Sequence, residues 1–324
     1  MTTLIEWTDE TWNPVSGCSR VSQGCKNCYA ERMWKRLSAQ NMPYAGRDFT
    51  NVRCHHDRLT MPLHWRKPRK VFVCSMGDLF HEQVPDGFLL AVFDVIRTCY
   101  ARDAGHVFQV LTKRPERLLE FCQRLRFDGS GNGGKGRMWL ADTPDGGGYR
   151  VMGGLGQFGL GNVWLGVSAE NQSTADERVP LLMRTPVGLG KRFVSCEPLL
   201  GPVDLRALRC TRGMPIDALD PEMPGRRIDW VIAGGESGPR ARPMHPYWVR
   251  SLRDQCREAD AAFFFKQWGT WLPASEDGQG DRGRLLRMTL AGDGESGDRG
   301  AWRRTGKTAA GRSLDGEILM EFPV

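Results

Sequence analysis

Six short apolar runs recur along the chain, and most of them end in small, polar or charged residues. They span residues 71–74, 108–111, 163–167, 192–195, 230–233 and 262–265. Near-continuous apolar strands are what a parallel sheet buried on both faces requires. Between the runs lie stretches with helical character, at 88–101, 115–125, 173–183 and 246–259. The sequence therefore predicts repeated βα units.

Repeated βα units with right-handed crossovers form either a barrel or a doubly wound sheet, and in both the carboxyl ends of the strands form the reactive face. A further strand near 11–15 leads directly into a cysteine-containing loop. We therefore expect an α/β fold, a partial or complete TIM-like (β/α) barrel over residues 1–272. Residues 128–162 are rich in glycine and predict an irregular insertion, and 273–324 predict a C-terminal extension packed on the barrel.

Composition limits the class of protein. The chain has 324 residues, 40% of them hydrophobic, and a mean hydropathy of −0.44, which leaves no room for a membrane span. Its N-terminus lacks the basic and apolar regions of a signal peptide, so we expect a cytoplasmic protein with reduced thiols. The net charge of +7 permits a nucleic-acid or phosphate-bearing partner but does not demand one, because the basic residues are dispersed.

Three of the ten cysteines have the spacing of metal ligands. Cys18, Cys25 and Cys28 form the pattern C-x6-C-x2-C. Thiolates select zinc or an iron–sulfur cluster, and a cubane held by three cysteines leaves one iron open. A structural zinc site would need a fourth ligand, and the next cysteine is Cys54, so we favour a cluster although zinc ligands can come from a distance. We expect the other seven cysteines to be small buried hydrophobic residues.

Several motifs resemble the three-Cys-motif family of bacteriophages and prophages, which is related to radical S-adenosylmethionine (SAM) enzymes. Besides the cysteine loop they are IEWT at 5–8, TWNPV at 11–15, LTKRP at 111–115, WLGVS at 164–168, FVSCEPL at 193–199, GGESG at 234–238, FFKQWG at 264–269 and KTAAGRSLDG at 307–316. The resemblance covers nearly the whole chain and implies a barrel of the radical SAM type. The usual radical SAM loop has the spacing C-x3-C-x2-C, so the first gap here is longer.

The resemblance also implies cofactors and partners. They are a 4Fe-4S cluster, SAM and an external electron donor of the flavodoxin or ferredoxin type. The reduced cluster would cleave SAM to give a 5′-deoxyadenosyl radical, which removes a hydrogen atom from the substrate. The implied setting is the cytoplasm of a phage-infected or prophage-bearing bacterium. The expected substrate is a nucleobase or a hypermodified pyrimidine of phage DNA, and the reaction is that of an isomerase, lyase or transferase.

The resemblance assigns roles to residues that follow the predicted strands. Those expected to bind SAM are Ser75, Gly77, Asp78, Lys113, Ser168, Glu170 and Asn171. Those expected to line the substrate cavity as catalytic residues are Glu197, Glu236, Lys266 and Gln267. Arg114 is an alternative to Lys113 for the SAM carboxylate.

Simpler interpretations compete with these roles. Asp78, Glu170 and Glu236 could be carboxylates at helix N-termini, and Lys113 with Arg114 could be a solvated helix entry. The whole chain could also be a nucleic-acid-binding protein stabilised by zinc or an iron–sulfur cluster without catalysis, or an iron–sulfur electron carrier or sensor.

Overall fold

A computed structural model of the chain describes residues 3–127, 138–141, 161–186, 190–210, 213–223, 225–276, 285–290 and 298–324. Most of the predicted glycine-rich insertion at 128–162 lies outside the described residues. The described strands are β1 (Glu10–Trp12), β2 (Val15–Ser16), β3 (Arg53–Cys54), β4 (Lys70–Val73), β5 (Val107–Thr112), β6 (Leu125–Phe127), β7 (Met138–Leu140), β8 (Val163–Ser168), β9 (Lys191–Cys196), β10 (Trp230–Gly234), β11 (Ala262–Gln267), β12 (Trp271–Pro273), β13 (Leu285–Leu290) and β14 (Asp298–Arg304).

The described α-helices are α1 (Tyr29–Leu37), α2 (Asp86–Ala101), α3 (Pro115–Arg124), α4 (Gln172–Arg184), α5 (Pro246–Glu258) and α6 (Lys307–Ala310). The chain divides into two compact units. The first unit comprises Met1–Val21, Cys28–Val167 and Leu181–Arg192, and the second comprises Ser22–Asn27, Ser168–Pro180 and Phe193–Val324.

In the first unit, β1, β4, β5 and β8 are parallel neighbours in that order. The buried side chains of these strands form the core, with Val71, Val110 and Leu165 fully buried. Helix α2 follows β4 and buries the apolar residues of one face, because they recur at helical spacing. The first unit also contains two short antiparallel pairs of strands, β2 with β3 and β6 with β7.

In the second unit, β9, β10 and β11 are parallel neighbours. Helix α5 buries Trp248, Leu252 and Cys256, as their spacing of four residues predicts. His245 precedes this helix, and its imidazole Nδ1 accepts a hydrogen bond from the Tyr247 amide at 3.2 Å, which caps the helix. The C-terminal part of the unit contains an antiparallel sheet in the order β12-β14-β13.

The structure is a mixed α/β fold with seven parallel strands, and a described helix connects each successive pair of them except β9 and β10. This arrangement is compatible with a partial TIM-like barrel. All six predicted apolar strands are present. The strand predicted near 11–15 is present as β1, but it ends at Trp12, and β2 begins only at Val15, because Pro14 has no amide hydrogen to continue the pairing. The division at residue 272 and the radical SAM type of the barrel stay predictions.

None of the helices in the described ranges combines the length and the apolar character that crossing a membrane requires.

Candidate functional site

The cysteine loop belongs to both units. Cys18 and Cys28 are partly exposed and lie in the first unit, and Cys25 is buried and lies in the second. All ten cysteines lie in the described residues, and none of them is in a disulfide. Among the seven scattered cysteines, five are buried as predicted, namely Cys74, Cys99, Cys122, Cys196 and Cys256, whereas Cys54 and Cys210 are partly exposed. Burial raises the pKa of the Cys99 thiol to about 11, which keeps it protonated and unreactive.

Two glycines fix the backbone that carries Cys18. Gly17 has a φ of +89°, and a Cβ there would lie 2.7 Å from the Asn51 carbonyl oxygen, so only glycine fits. The Cys18 amide donates to the Phe49 carbonyl at 2.9 Å. Gly77 packs on the same stretch, because a Cβ at Gly77 would lie 2.9 Å from the Gly17 carbonyl oxygen. The Ser75–Asp78 segment therefore lies against the backbone at the start of the cysteine loop.

A buried arginine faces the Cys18 sulfur. Arg114 is 6% exposed, and its Nη1 lies 3.6 Å from Cys18 Sγ and 3.1 Å from Asp78 Oδ2. Its Nε donates to Glu82 Oε1 at 3.0 Å, and its Nη2 donates to Ser19 Oγ at 2.8 Å. Burial alone would lower the pKa of Arg114, but Asp78 and Cys18 outweigh it and raise that pKa. The guanidinium therefore stays charged beside the thiol.

Asp78 is held by donors of the protein. Its Oδ1 accepts from Thr112 Oγ1 at 2.7 Å, and its Oδ2 accepts from the Lys113 amide at 3.1 Å as well as from Arg114. The carboxylate thus ties the loop after β4 to the end of β5. Of the residues predicted to bind SAM, the structure brings Gly77, Asp78 and Lys113 together here. The Ser75 hydroxyl donates elsewhere, to Asn13 Oδ1 at 3.2 Å.

His81 is a further polar residue of this network. Its Nε2 lies 2.9 Å from Ser19 Oγ, and the side chain is 3% exposed. Burial and the neighbouring Arg114 lower the pKa of His81, so the imidazole is neutral at pH 7. Sequence reasoning missed His81, because a lone histidine with no second ligand at helical spacing carries no motif.

In the second unit, Glu170 holds the segment that precedes Cys25. The Glu170 carboxylate is fully buried, accepts from Ser22 Oγ at 2.8 Å and pairs with Arg178 Nη1 at 3.2 Å. Gly24 packs directly on it, since a Cβ at Gly24 would overlap the carboxylate. The Cys25 sulfur lies 3.9 Å from the Ser22 hydroxyl. Glu170 therefore binds the cysteine segment itself.

Glu236 holds the other end of the same segment. It accepts from Asn27 Nδ2 at 2.9 Å and from Arg242 Nη2 at 2.6 Å, and Arg242 also donates to the Gln23 carbonyl at 3.1 Å. Burial alone would raise the pKa of Glu236, but the hydrogen bonds from Arg242 and Asn27 lower it below its usual value. Sequence reasoning missed Asn27, because its partner Glu236 is 209 residues away. It also missed Arg178 and Arg242, which belong to no motif although their carboxylate partners are only eight and six residues away.

Two other predicted residues form an ion pair at the ends of β9 and β11. Lys266 Nζ lies 2.8 Å from Glu197 Oε1, and Ser195 Oγ donates to Glu197 Oε2 at 3.1 Å. Both charged side chains are partly exposed, so a ligand can reach them. Gln267 is separate from this pair: its Nε2 donates to Ser237 Oγ at 3.1 Å.

Ser168 and Asn171 have contacts that support helix α4. The Ser168 carbonyl accepts from Arg178 Nη1 at 2.8 Å. Asn171 precedes the first residue of α4, and its Oδ1 accepts from the Thr174 amide at 3.1 Å, which is the geometry of an N-cap. The simpler interpretation of a strand-end polar residue as a helix cap therefore describes Asn171.

The described residues contain no group of three or more His, Cys, Asp or Glu side chains that could hold one metal ion. A compact zinc site requires such a group around a single position. A cubane differs, because each of three thiolates binds a different iron, so this finding does not bear on a cluster. The donor set fits a cluster chemically: the loop offers three thiols, and a fixed cation faces the sulfur of Cys18.

Comparison with protein families gives one match over almost the entire chain. The family model described as protein of unknown function (DUF5131) matches residues 2–323. Comparisons with the curated proteins and with the solved structures give no match.

Proposed function

We propose that this chain, which belongs to the family described as protein of unknown function (DUF5131), is a radical SAM enzyme. The proposal rests on the cysteine motif and on the contacts around it. In this proposal Cys18, Cys25 and Cys28 hold a 4Fe-4S cluster. When bound, the reduced cluster supplies the electron that cleaves SAM into methionine and a 5′-deoxyadenosyl radical. The implied phage setting and the external electron donor are part of the same proposal.

The observation that carries this proposal is the hydrogen bond from the buried Arg114 to Cys18 Sγ. A permanently charged donor beside a sulfur favours the thiolate form that an iron ligand must adopt. The same arginine is held by Asp78 and Glu82, so its position does not depend on the thiol. An arrangement of this kind supports Cys18 as a ligand better than as a buried hydrophobic residue.

The loop that carries the thiols is rigidly held, as a ligand set must be. Gly17 and Gly77 fix the Cys18 backbone, and Glu170 and Glu236 fix the segment that contains Cys25. We assign Asp78, Glu170 and Glu236 positioning roles, since their oxygens already accept bonds from the protein. Binding of SAM by Ser75, Lys113, Ser168 and Asn171 stays a prediction.

The partly exposed pair of Lys266 and Glu197 is our candidate for contact with the substrate. It offers one donor and one acceptor at the ends of β9 and β11, the two strands that flank β10, and the edge of a pyrimidine presents the complementary groups. A nucleobase or hypermodified pyrimidine is therefore the proposed substrate class.

Anaerobic reconstitution tests the proposed function. The protein is loaded with iron and sulfide, reduced with dithionite and incubated with SAM, and 5′-deoxyadenosine is measured by mass spectrometry. We expect about four irons per chain and 5′-deoxyadenosine that depends on the reductant. The matched control is Cys122→Ala, which removes a fully buried thiol outside the loop.

Two outcomes would contradict the proposal. Purified protein that retains one zinc and no sulfide would favour the zinc-stabilised alternative. A full cluster without SAM cleavage would favour an electron carrier or sensor.

A further inference from the structure

The positive charge of the chain is concentrated in one segment. Residues 28–70 contain ten Lys and Arg against three Asp and Glu, while the rest of the chain contains 35 of each. Basic residues occur along the whole chain, but outside this segment acidic residues balance them in number. The whole net charge of +7 therefore comes from residues 28–70. The segment belongs to the first unit and begins at Cys28.

Helix α1 presents part of this charge to solvent. Tyr29, Arg32 and Arg36 are spaced by three and four residues, so they share one face of the helix, and all three are exposed. Lys35 is exposed next to this face. The opposite face is anchored by Trp34, which is 4% exposed and stacks on Tyr44 with ring centroids 4.4 Å apart. The helix is therefore docked through its apolar side and leaves its basic side open.

The cations beneath this helix repel one another. The Arg47 guanidinium lies 5.5 Å from the Trp34 ring centroid and donates to the Asn51 carbonyl at 2.6 Å. Burial and the neighbouring exposed Arg53 lower the pKa of Arg47. Burial, Arg58 and Arg47 lower the pKa of His55 to about 4. Asp57 lies 3.9 Å from Arg58, but the seven-charge excess of basic over acidic residues in 28–70 remains, and such an excess is the electrostatic condition for binding a polyanion.

We infer that the exposed residues Tyr29, Arg32, Lys35 and Arg36 form a surface that binds the phosphodiester backbone of a nucleic acid. Most of these cations are arginines, which match phosphate oxygens with two parallel hydrogen bonds. Tyr29 adds a ring on which an unpaired base can stack. The surface begins one residue after Cys28, so it would bring the strand to the cysteine loop. The inference deepens the proposed function by naming the partner, and it is tested on the protein without a cluster.

The test compares two triple variants of the full chain. Arg32→Gln with Lys35→Gln and Arg36→Gln removes three charges from the surface. The control, Arg184→Gln with Arg206→Gln and Arg226→Gln, removes three exposed charges elsewhere. Fluorescence anisotropy measures binding to a labelled 20-mer single strand, a 20-base-pair duplex and phosphatidylserine vesicles between 50 and 200 mM salt. Circular dichroism checks that each variant is folded.

We expect the surface variant to bind DNA about tenfold or more weakly, with a salt slope smaller by roughly two to three for the duplex, and the control to bind like the wild type. Tyr29→Ala should weaken binding of the single strand more than of the duplex. Equal losses in both triple variants, no DNA binding by the wild type, or equally tight binding to vesicles would overturn the inference. Failure of SAM cleavage would leave this result unchanged, so the two proposals fail separately.

Discussion

The two parts of the cysteine loop are held by opposite charges. In the first unit, Cys18 faces the cation of Arg114. In the second unit, the segment with Cys25 is bound by the anions of Glu170 and Glu236, which contact Ser22 and Asn27 and leave the thiol next to a neutral hydroxyl. The comparison separates two tasks. A cation beside a sulfur changes the chemistry of that sulfur, whereas a carboxylate bound to the flanking residues only fixes where the sulfur lies.

The largest expected effect comes from the thiols themselves. Replacing Cys18, Cys25 or Cys28 by Ala should abolish stable binding of a 4Fe-4S cluster, because a cubane with two protein ligands is poorly retained. Iron and sulfide analysis after reconstitution measures this. Cys99→Ala and Cys122→Ala should keep full iron content, since both thiols are buried outside the loop. Wild-type iron in any loop variant would remove that cysteine from the ligand set.

The next effect concerns the buried pair of Glu170 and Arg178. Glu170→Gln leaves the Arg178 charge buried without its carboxylate, so the free energy of unfolding should fall by about 3–5 kcal/mol. Urea unfolding measures this, and alkylation of Cys25 should accelerate because its segment loosens. If Glu170 instead binds SAM, the variant would lose SAM affinity at unchanged stability. Arg20→Gln is the control, because its pair with Glu31 is exposed and contributes little.

Arg114→Lys tests the cation on the Cys18 side. Lysine keeps the charge but not the planar fork, so the bond to Cys18 Sγ should be lost while Asp78 keeps a cationic partner. We expect the cluster potential to become more negative by on the order of 50 mV, because hydrogen bonds to sulfur raise it. Potentiometry followed by electron paramagnetic resonance measures the shift. Arg192→Lys, at a buried arginine bonded to backbone carbonyls, should leave the potential unchanged.

The smallest effect is a pH dependence on the Cys25 side. The folded pKa of Glu236 lies below its usual value of 4.5, so its contribution to stability is present above that value and is lost as the pH falls through the folded pKa. Wild-type protein should therefore lose melting temperature more steeply below about pH 4.5 than Glu236→Gln does. Thermal melts from pH 3 to 7 measure both slopes. Identical slopes would show that Glu236 does not stabilise the folded loop through its charge.

Much of the scaffold could be predicted from the sequence. The six parallel strands and four of the helices follow from local patterns of apolar residues, and α5 shows why, since Trp248, Leu252 and Cys256 recur on one helical face. Helix α1 was not predicted although Ala30, Met33, Trp34 and Leu37 recur at helical spacing, because it is only nine residues long and begins directly after the cysteine motif. The interruption of the first strand before Pro14 was not predicted either, because the prediction considered only the pattern of hydrophobic residues.

The sequence by itself determined which groups are present: the three thiols, their spacing, and the acids that follow the strands. The tertiary structure alone decided what those groups contact. Glu170 and Ser22 are 148 residues apart in the sequence. No local pattern encodes which distant donor a carboxylate meets. Secondary structure depends on neighbours along the chain, but buried charges are placed by the requirement that each find a partner, and this requirement acts only once the chain is folded.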